Sequence, residues 1–148
     1  RQGKLIILPT GDGMALVFFN SVHAAFKCAV DVGKKTYKHP QIGLRNGVYS
    51  GPVVPVKDIN NNPNVSGSGI NMAQRCMDAG DNDHILISNG VHQYVNQMDI
   101  PGLKFEDWGP VIVKHGSTVH MWTAYGSNFG RTEFPHWRGT KKAEFKTE

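Results

Sequence analysis

The sequence predicts an α+β fold with helices packed on one face of a mostly antiparallel sheet. Three observations support this prediction: short apolar runs come in pairs around tight turns, two amphipathic helical segments separate those pairs, and a β-type region follows from Lys104 to Tyr125. Closely spaced pairs of strands indicate hairpins, whereas helices between strands indicate crossover connections.

The first hairpin and the first helix come from the N-terminal part of the sequence. Two apolar runs, Lys4 to Pro9 and Met14 to Phe19, flank the turn Thr10-Gly11-Asp12-Gly13, which is typical of a β-hairpin. The segment from Ser21 to Tyr37 has apolar residues on one helical face and charged residues on the other. We therefore predict a helix there.

The middle of the sequence repeats this order. Ile42 to Ser50 and Val53 to Lys57 are predicted strands, and Asn60 to Asn64 is predicted to be a loop. A second amphipathic helix is predicted from Ser66 to Ala79, with Gly80 ending it. We expect three of its apolar residues to face the core: Ile70, Ala73 and Met77. The remaining predicted elements are a buried strand and a short helix: His84 to Ser88 and Gly90 to Gln97.

Composition and charge exclude several classes of protein. The 148 residues suffice for one core, which we assign to 1–125, with a C-terminal extension at 126–148 where the apolar periodicity ends. The formal net charge of +4 suits a phosphate-bearing ligand. With two cysteines and no long apolar run, we expect no disulfide framework, no cysteine zinc site, no membrane span and a cytoplasmic location.

Two segments carry candidate site residues. Asp12 lies at the tip of the predicted hairpin, where flanking glycines let a phosphate or a metal approach the backbone, and such a carboxylate suits Mg²⁺ or Mn²⁺. Asn71 and Arg75 are one helical turn apart on the outer face of the second helix, where an amide and a guanidinium can grip a sugar and a phosphoryl group. Taken alone, each segment also has a purely structural explanation: a turn for Asp12, and a solvated helix face for Asn71 and Arg75.

The order and spacing of these segments resemble the catalytic domain of class III adenylate/guanylate cyclases. The resemblance covers about Lys4 to Tyr125 and is carried by GDGMALVFF, LRNGVYSGPVV and NVSGSGINMAQRCMDAGDNDHILIS. It implies a ferredoxin-like, palm-type cyclase homology fold whose first strand and following helices precede Arg1. It also implies a role in intracellular signalling, in which a nucleoside triphosphate is converted to a 3′,5′-cyclic nucleotide and pyrophosphate.

The resemblance assigns roles to individual residues. Asp12 corresponds to one of two aspartates that hold two Mg²⁺ or Mn²⁺ ions, and the other aspartate would precede Arg1. Asn71 corresponds to the asparagine that orients the ribose, and Arg75 to the arginine that stabilises charge on the pentavalent phosphorus. Lys114 is the nearest match to the lysine that binds the triphosphate.

Base selection and assembly follow from the same resemblance. Leu8 and Asn64 stand where these cyclases distinguish adenine from guanine. Leu8 cannot hydrogen-bond a base, whereas Asn64 can donate and accept, so the choice between ATP and GTP stays open. The head-to-tail pairing of the family implies a C2 homodimer in which each site combines Asp12 of one subunit with Asn71 and Arg75 of the other.

Two other functions stay open at this point. The replaced base-contacting residues and the unaccounted first aspartate favour a non-catalytic cyclase-like module that binds nucleotide or only dimerises. The positive charge suggests a nucleic-acid-binding α+β domain, with His136 to Lys142 touching phosphates. The candidate aromatic residues are better explained as core, so we expect no nucleic-acid partner.

Overall fold

The structure is a computed structural model that describes residues 5–10, 13–19 and 21–143. These ranges contain ten strands and three α-helices. The strands are β1 (Leu5–Thr10), β2 (Gly13–Phe18), β3 (Asn46–Val48), β4 (Val54–Lys57), β5 (Pro63–Ser66), β6 (Ile85–Ser88), β7 (Lys104–Ile112), β8 (Thr118–Gly126), β9 (Phe129–Gly130) and β10 (Lys141–Lys142). The helices are α1 (Val22–Tyr37), α2 (Ser68–Asp78) and α3 (Asn89–Val95). Within the described residues, no helix combines the length and the apolar character that crossing a bilayer requires.

A six-stranded sheet organises the domain. Its order is β10-β7-β8-β6-β3, and β9 pairs with the end of β8. β3 runs parallel to β6, whereas the other pairs are antiparallel. The prediction of a mixed α+β fold with a mainly antiparallel sheet is thus confirmed, although β3 is shorter than the predicted strand Ile42 to Ser50. β1 pairs with β2, and β4 with β5, in two separate antiparallel hairpins.

The helices lie on both faces of this sheet, which corrects the expectation that they share one face. Ile85 and Ile87 of β6 belong to a core cluster with Phe26 of α1. Leu86 points the other way and packs in a second cluster with Cys76 of α2. Burial raises the pKa of the Cys76 thiol to about 12, so this thiol is neutral and acts as a core residue. The unbroken apolar run of β6 is what a strand covered on both faces requires.

Helix α2 packs through a different face from the one predicted. Gly47 of β3 lies directly under the helix, since a Cβ there would be 2.5 Å from the Met77 nitrogen and 2.7 Å from the Ala73 carbonyl oxygen. The backbone of α2 therefore rests on the strand, and Cys76 is fully buried while Ile70, Ala73 and Met77 keep partial exposure. Close backbone contact at Gly47 and the burial of Cys76 and Ala79 accompany this rotation of the helix.

The predicted loop around Asn60 to Asn64 is wrong in part, because its end belongs to β5. Asp58 Oδ1 accepts hydrogen bonds from the backbone N–H groups of Asn60 at 2.8 Å and Asn62 at 2.9 Å. Asn61 has a φ of 66°, a left-handed conformation that asparagine tolerates. This turn closes a hairpin, and Pro63 stands at the first position of the strand, where proline is accepted.

Residues 126–143 add β9 and β10 to the sheet and satisfy buried polar groups. Fully buried His84 accepts from the Asp81 N–H at Nδ1 (2.8 Å), so its Nε2–H donates to the Glu133 carbonyl oxygen at 2.7 Å. Burial lowers the pKa of His84, which keeps the ring neutral. Trp108 Nε1 donates to the Thr132 carbonyl oxygen at 3.2 Å. Residues 126–143 therefore pack closely against the domain.

Candidate functional site

The start of α2 is held against the segment that follows β3. Gly67 has a φ of 132°, a conformation that favours glycine. A Cβ at Gly67 would overlap the Pro52 carbonyl oxygen, which also accepts the Gly69 N–H at 3.0 Å. The two glycines therefore allow the close approach that fixes where the helix begins and which way Asn71 and Arg75 point.

Asn71 and Arg75 lie one turn apart on this helix, as the spacing predicts. Asn71 is exposed and Arg75 is half-buried. Arg75 Nη1 donates to Met72 Sδ at 3.5 Å, a weak interaction. In the described part of the chain, no carboxylate forms an ion pair with Arg75. Most donor groups of this guanidinium are therefore available to an anionic ligand.

Arg75 and Lys114 line one cleft of about 190 Å³ between the C-terminal half of α2 and the end of β7. Lys114 is exposed and begins a short 3₁₀ turn that connects β7 to β8. The cleft also includes Asp78 of α2, together with Arg138 and Thr140 from the chain before β10. The structure thus brings together two of the predicted site residues and adds Arg138, which the sequence indicated only as part of the basic segment His136 to Lys142.

The charge of this cleft is positive. Among the described residues that line it, three cationic side chains and one carboxylate, that of Asp78, come together. Asp78 Oδ1 is already engaged, since it lies 3.5 Å from Arg45 Nη2 and accepts from Gln74 Nε2 at 3.0 Å. The cleft is therefore suited to phosphate groups.

A second concavity, of about 280 Å³, opens where β3 and β6 end. Its lining is mainly neutral and hydrogen-bonding, with Tyr49, Ser50, Asn89 and His120 among its residues. The described residues that line it include no lysine or arginine. Of these two concavities, the cleft of Arg75 and Lys114 fits an anion better.

The other predicted site residues lie apart from the cleft. Asn64 is in β5, where its Oδ1 accepts the Val65 N–H at 2.8 Å, and no group of the described residues accepts a hydrogen bond from its amide NH₂. Leu8 is in β1, paired with Ala15 of β2. Asp12 lies outside the described residues.

A metal site is therefore not defined by the described residues. Among them, no three His, Cys, Asp or Glu side chains converge closely enough to hold a metal ion. The expected Mg²⁺ or Mn²⁺ site depends on Asp12, and it stays a proposal.

Comparison with known proteins identifies the class. No protein-family model matches the chain. The chain is 34% identical over 132 residues to the Rhizobium meliloti (strain 1021) protein named "Putative adenylate cyclase 3", in a match that takes in 83% of this chain and 21% of that protein. The chain thus spans about a fifth, 21%, of the length of this curated relative.

Solved cyclase structures share the fold. The adenylate/guanylate cyclase/hydrolase from Silicibacter pomeroyi matches with a TM-score of 0.66 and 25% identity, over 82% of this chain and 72% of that one. The guanylate cyclase domain of RhGC from Catenaria anguillulae, solved in complex with GTP, matches with a TM-score of 0.62 and 18% identity, over 82% and 72% of the two chains.

Fold and matches together define a nucleotidyl cyclase homology domain. The recognition made from the sequence is confirmed: the chain has the sequence pattern and the fold of a class III adenylate/guanylate cyclase catalytic domain.

Proposed function

We propose that the protein converts a nucleoside triphosphate, ATP or GTP, to a 3′,5′-cyclic nucleotide and pyrophosphate. The observation that carries this proposal is the cationic cleft, which places Arg75 and Lys114 around one volume. Asn71, one helical turn before Arg75, is exposed and free to contact the sugar of the same nucleotide. These three groups are the ones that the resemblance assigns to phosphates and ribose.

Each residue has a distinct task in this reaction. Lys114 holds the triphosphate as a point charge, and Asn71 hydrogen-bonds the ribose so that its 3′-oxygen faces the α-phosphorus. Arg75 donates to the non-bridging oxygens as negative charge develops there, and such preorganised donors stabilise the transition state. Mg²⁺ or Mn²⁺ bound in part by Asp12 would supply charge neutralisation and a more acidic 3′-hydroxyl.

The proposed site is shared between two copies of the chain. One copy provides Asn71, Arg75 and Lys114, and the other provides Asp12, in a C2 homodimer. The exposure of Asn71 supports this arrangement, because a side chain on the outer face of α2 can reach a neighbouring subunit. We place the activity in intracellular signalling, as expected for a cyclic nucleotide product.

The identity of the purine is left open by the residues that would contact it. The amide NH₂ of Asn64, which donates to no group among the residues that the structure describes, can donate to guanine O6 or to a ring nitrogen of adenine, so both nucleotides are candidate substrates.

Direct detection of product tests the proposal. Full-length protein incubated with Mn²⁺ and ATP or GTP is expected to release a cyclic nucleotide and pyrophosphate, which chromatography separates from linear monophosphates. If neither nucleotide gives a cyclic product at concentrations where sedimentation shows a dimer, the cyclase proposal fails and a non-catalytic nucleotide-binding module takes its place.

A further inference from the structure

The position of Arg138 is fixed by contacts on both sides of it. Just before it, Trp137 Nε1 donates to Asp81 Oδ2 at 2.7 Å. Just after it, Thr140 Oγ1 donates to the Ala79 carbonyl oxygen at 3.0 Å. Both partners lie at or beyond the C-terminal end of α2, so the C-terminal extension is attached to the helix that carries Arg75.

The Arg138 side chain crosses the C-terminal end of α2. Its Nη1 donates to the Gly80 carbonyl oxygen and lies 3.4 Å from that of Asp78. Arg45 Nη1 donates to the same Gly80 oxygen at 3.2 Å. Carbonyl groups at a helix C-terminus carry partial negative charge and repel anions. The two arginines offset that charge, so the end of α2 does not oppose a phosphate in the neighbouring cleft.

The guanidinium of Arg138 retains unused donors. In the described part of the chain, its hydrogen bonds all come from Nη1, and it forms no ion pair with a carboxylate. It is exposed and lines the cleft together with Arg75 and Lys114. Three cations converge on one volume with donors to spare, and a pyrophosphate group carries several negative charges for them to bind.

We propose that Arg138 is a third phosphate-binding residue, which holds the pyrophosphate portion of the nucleotide and of the product. This inference rests on the proposed function, in which the nucleotide places its phosphates between Arg75 and Lys114. Arg138 contacts a group that is present before and after the reaction. Its loss therefore weakens binding of nucleotide and of free pyrophosphate alike, and raises KM more than it lowers kcat.

Binding of inorganic pyrophosphate to the full-length protein, followed by calorimetry, tests this role without turnover. Arg138→Gln is expected to weaken pyrophosphate binding at least about tenfold, because charge-assisted hydrogen bonds are lost. Arg138→Lys keeps the charge and is expected to recover part of that loss. Lys35→Gln is the control, since this exposed cation of α1 lies on the opposite face of the sheet and does not line the cleft. It is expected to bind pyrophosphate within about twofold of the unaltered protein.

A purely structural role for Arg138 predicts a different pattern. Trp137→Phe removes a side-chain hydrogen bond that attaches the extension, the one to Asp81 Oδ2, without removing a charge, and Trp137 does not line the cleft. If Trp137→Phe weakens pyrophosphate binding as much as Arg138→Gln does, or if Arg138→Gln binds as the unaltered protein does, the proposal is overturned.

The two proposals fail separately. Cyclic product from Arg138→Gln with unchanged KM and unchanged inhibition by pyrophosphate refutes the role of Arg138 and keeps the cyclase. Pyrophosphate binding that depends on Arg138, in a protein that makes no cyclic product, supports the phosphate site and refutes the cyclase.

Discussion

Arg75→Ala is expected to lower the rate of cyclic nucleotide formation by about 10²–10³-fold. The guanidinium has a weak contact with Met72 and no ion pair with a described carboxylate. Its removal should therefore change the free energy of unfolding by less than about 1 kcal/mol. A large loss of rate with a small loss of stability is the signature of a residue that acts on the reaction and not on the core.

Two further variants sharpen this prediction. Lys35→Ala removes an exposed cation of α1 that does not line the cleft. We expect it to keep the rate within about twofold. Arg75→Lys keeps the charge but loses the planar fork, so only part of the rate should return. Full turnover by Arg75→Ala, or unfolding of that variant, would show that the assigned role is wrong.

Gly47→Ala is expected to destabilise the protein by about 2–3 kcal/mol and to lower the melting temperature by about 5–10 °C. The added Cβ would lie 2.5 Å from the Met77 nitrogen, so α2 must move away from β3. Because α2 carries Arg75, cyclic nucleotide formation should fall as well. Thermal unfolding and the cyclase assay on the same preparation measure both effects.

Gly90→Ala is the matched control for the glycine at β3. Gly90 lies in α3, where the nearest atom to an added Cβ is Ser88 Oγ at 3.9 Å. Alanine is a better helix former than glycine, so this variant should be as stable as the original chain or slightly more stable. A Gly47→Ala protein with the melting temperature of Gly90→Ala would contradict the close packing of α2 on β3.

Helix caps, turn residues and apolar periodicity predicted the elements that depend on neighbouring residues in the sequence. Helix α1 begins after Ser21, whose side chain accepts the Ala24 N–H at 3.0 Å, and its apolar face is visible in the sequence. The first hairpin and the β-type region after Lys104 follow from turn residues and apolar runs. In contrast, the rotation of α2 involves close contact with Gly47 of β3, a long-range contact that periodicity does not encode.

The candidate site shows the same difference between local patterns and long-range contacts. Helical spacing placed Asn71 and Arg75 on one exposed surface, and the resemblance pointed to Lys114. The sequence indicated Arg138 only as part of the basic segment His136 to Lys142. Its place beside Arg75 could not be predicted, because the chain returns and brings it to Gly80, 58 residues earlier. Long-range contacts of this kind leave no periodic pattern in the sequence.

Complementation between two inactive variants tests the shared site most directly. Asp12→Asn and Arg75→Ala proteins, each inactive separately, are mixed and allowed to exchange subunits, and exchange is verified by co-purification of two tags. Random exchange gives mixed dimers with one intact site each, so about a quarter of the original cyclase activity should return. A mixture that contains verified mixed dimers and stays as inactive as its components would contradict a site built from Asp12 of one subunit and Arg75 of the other.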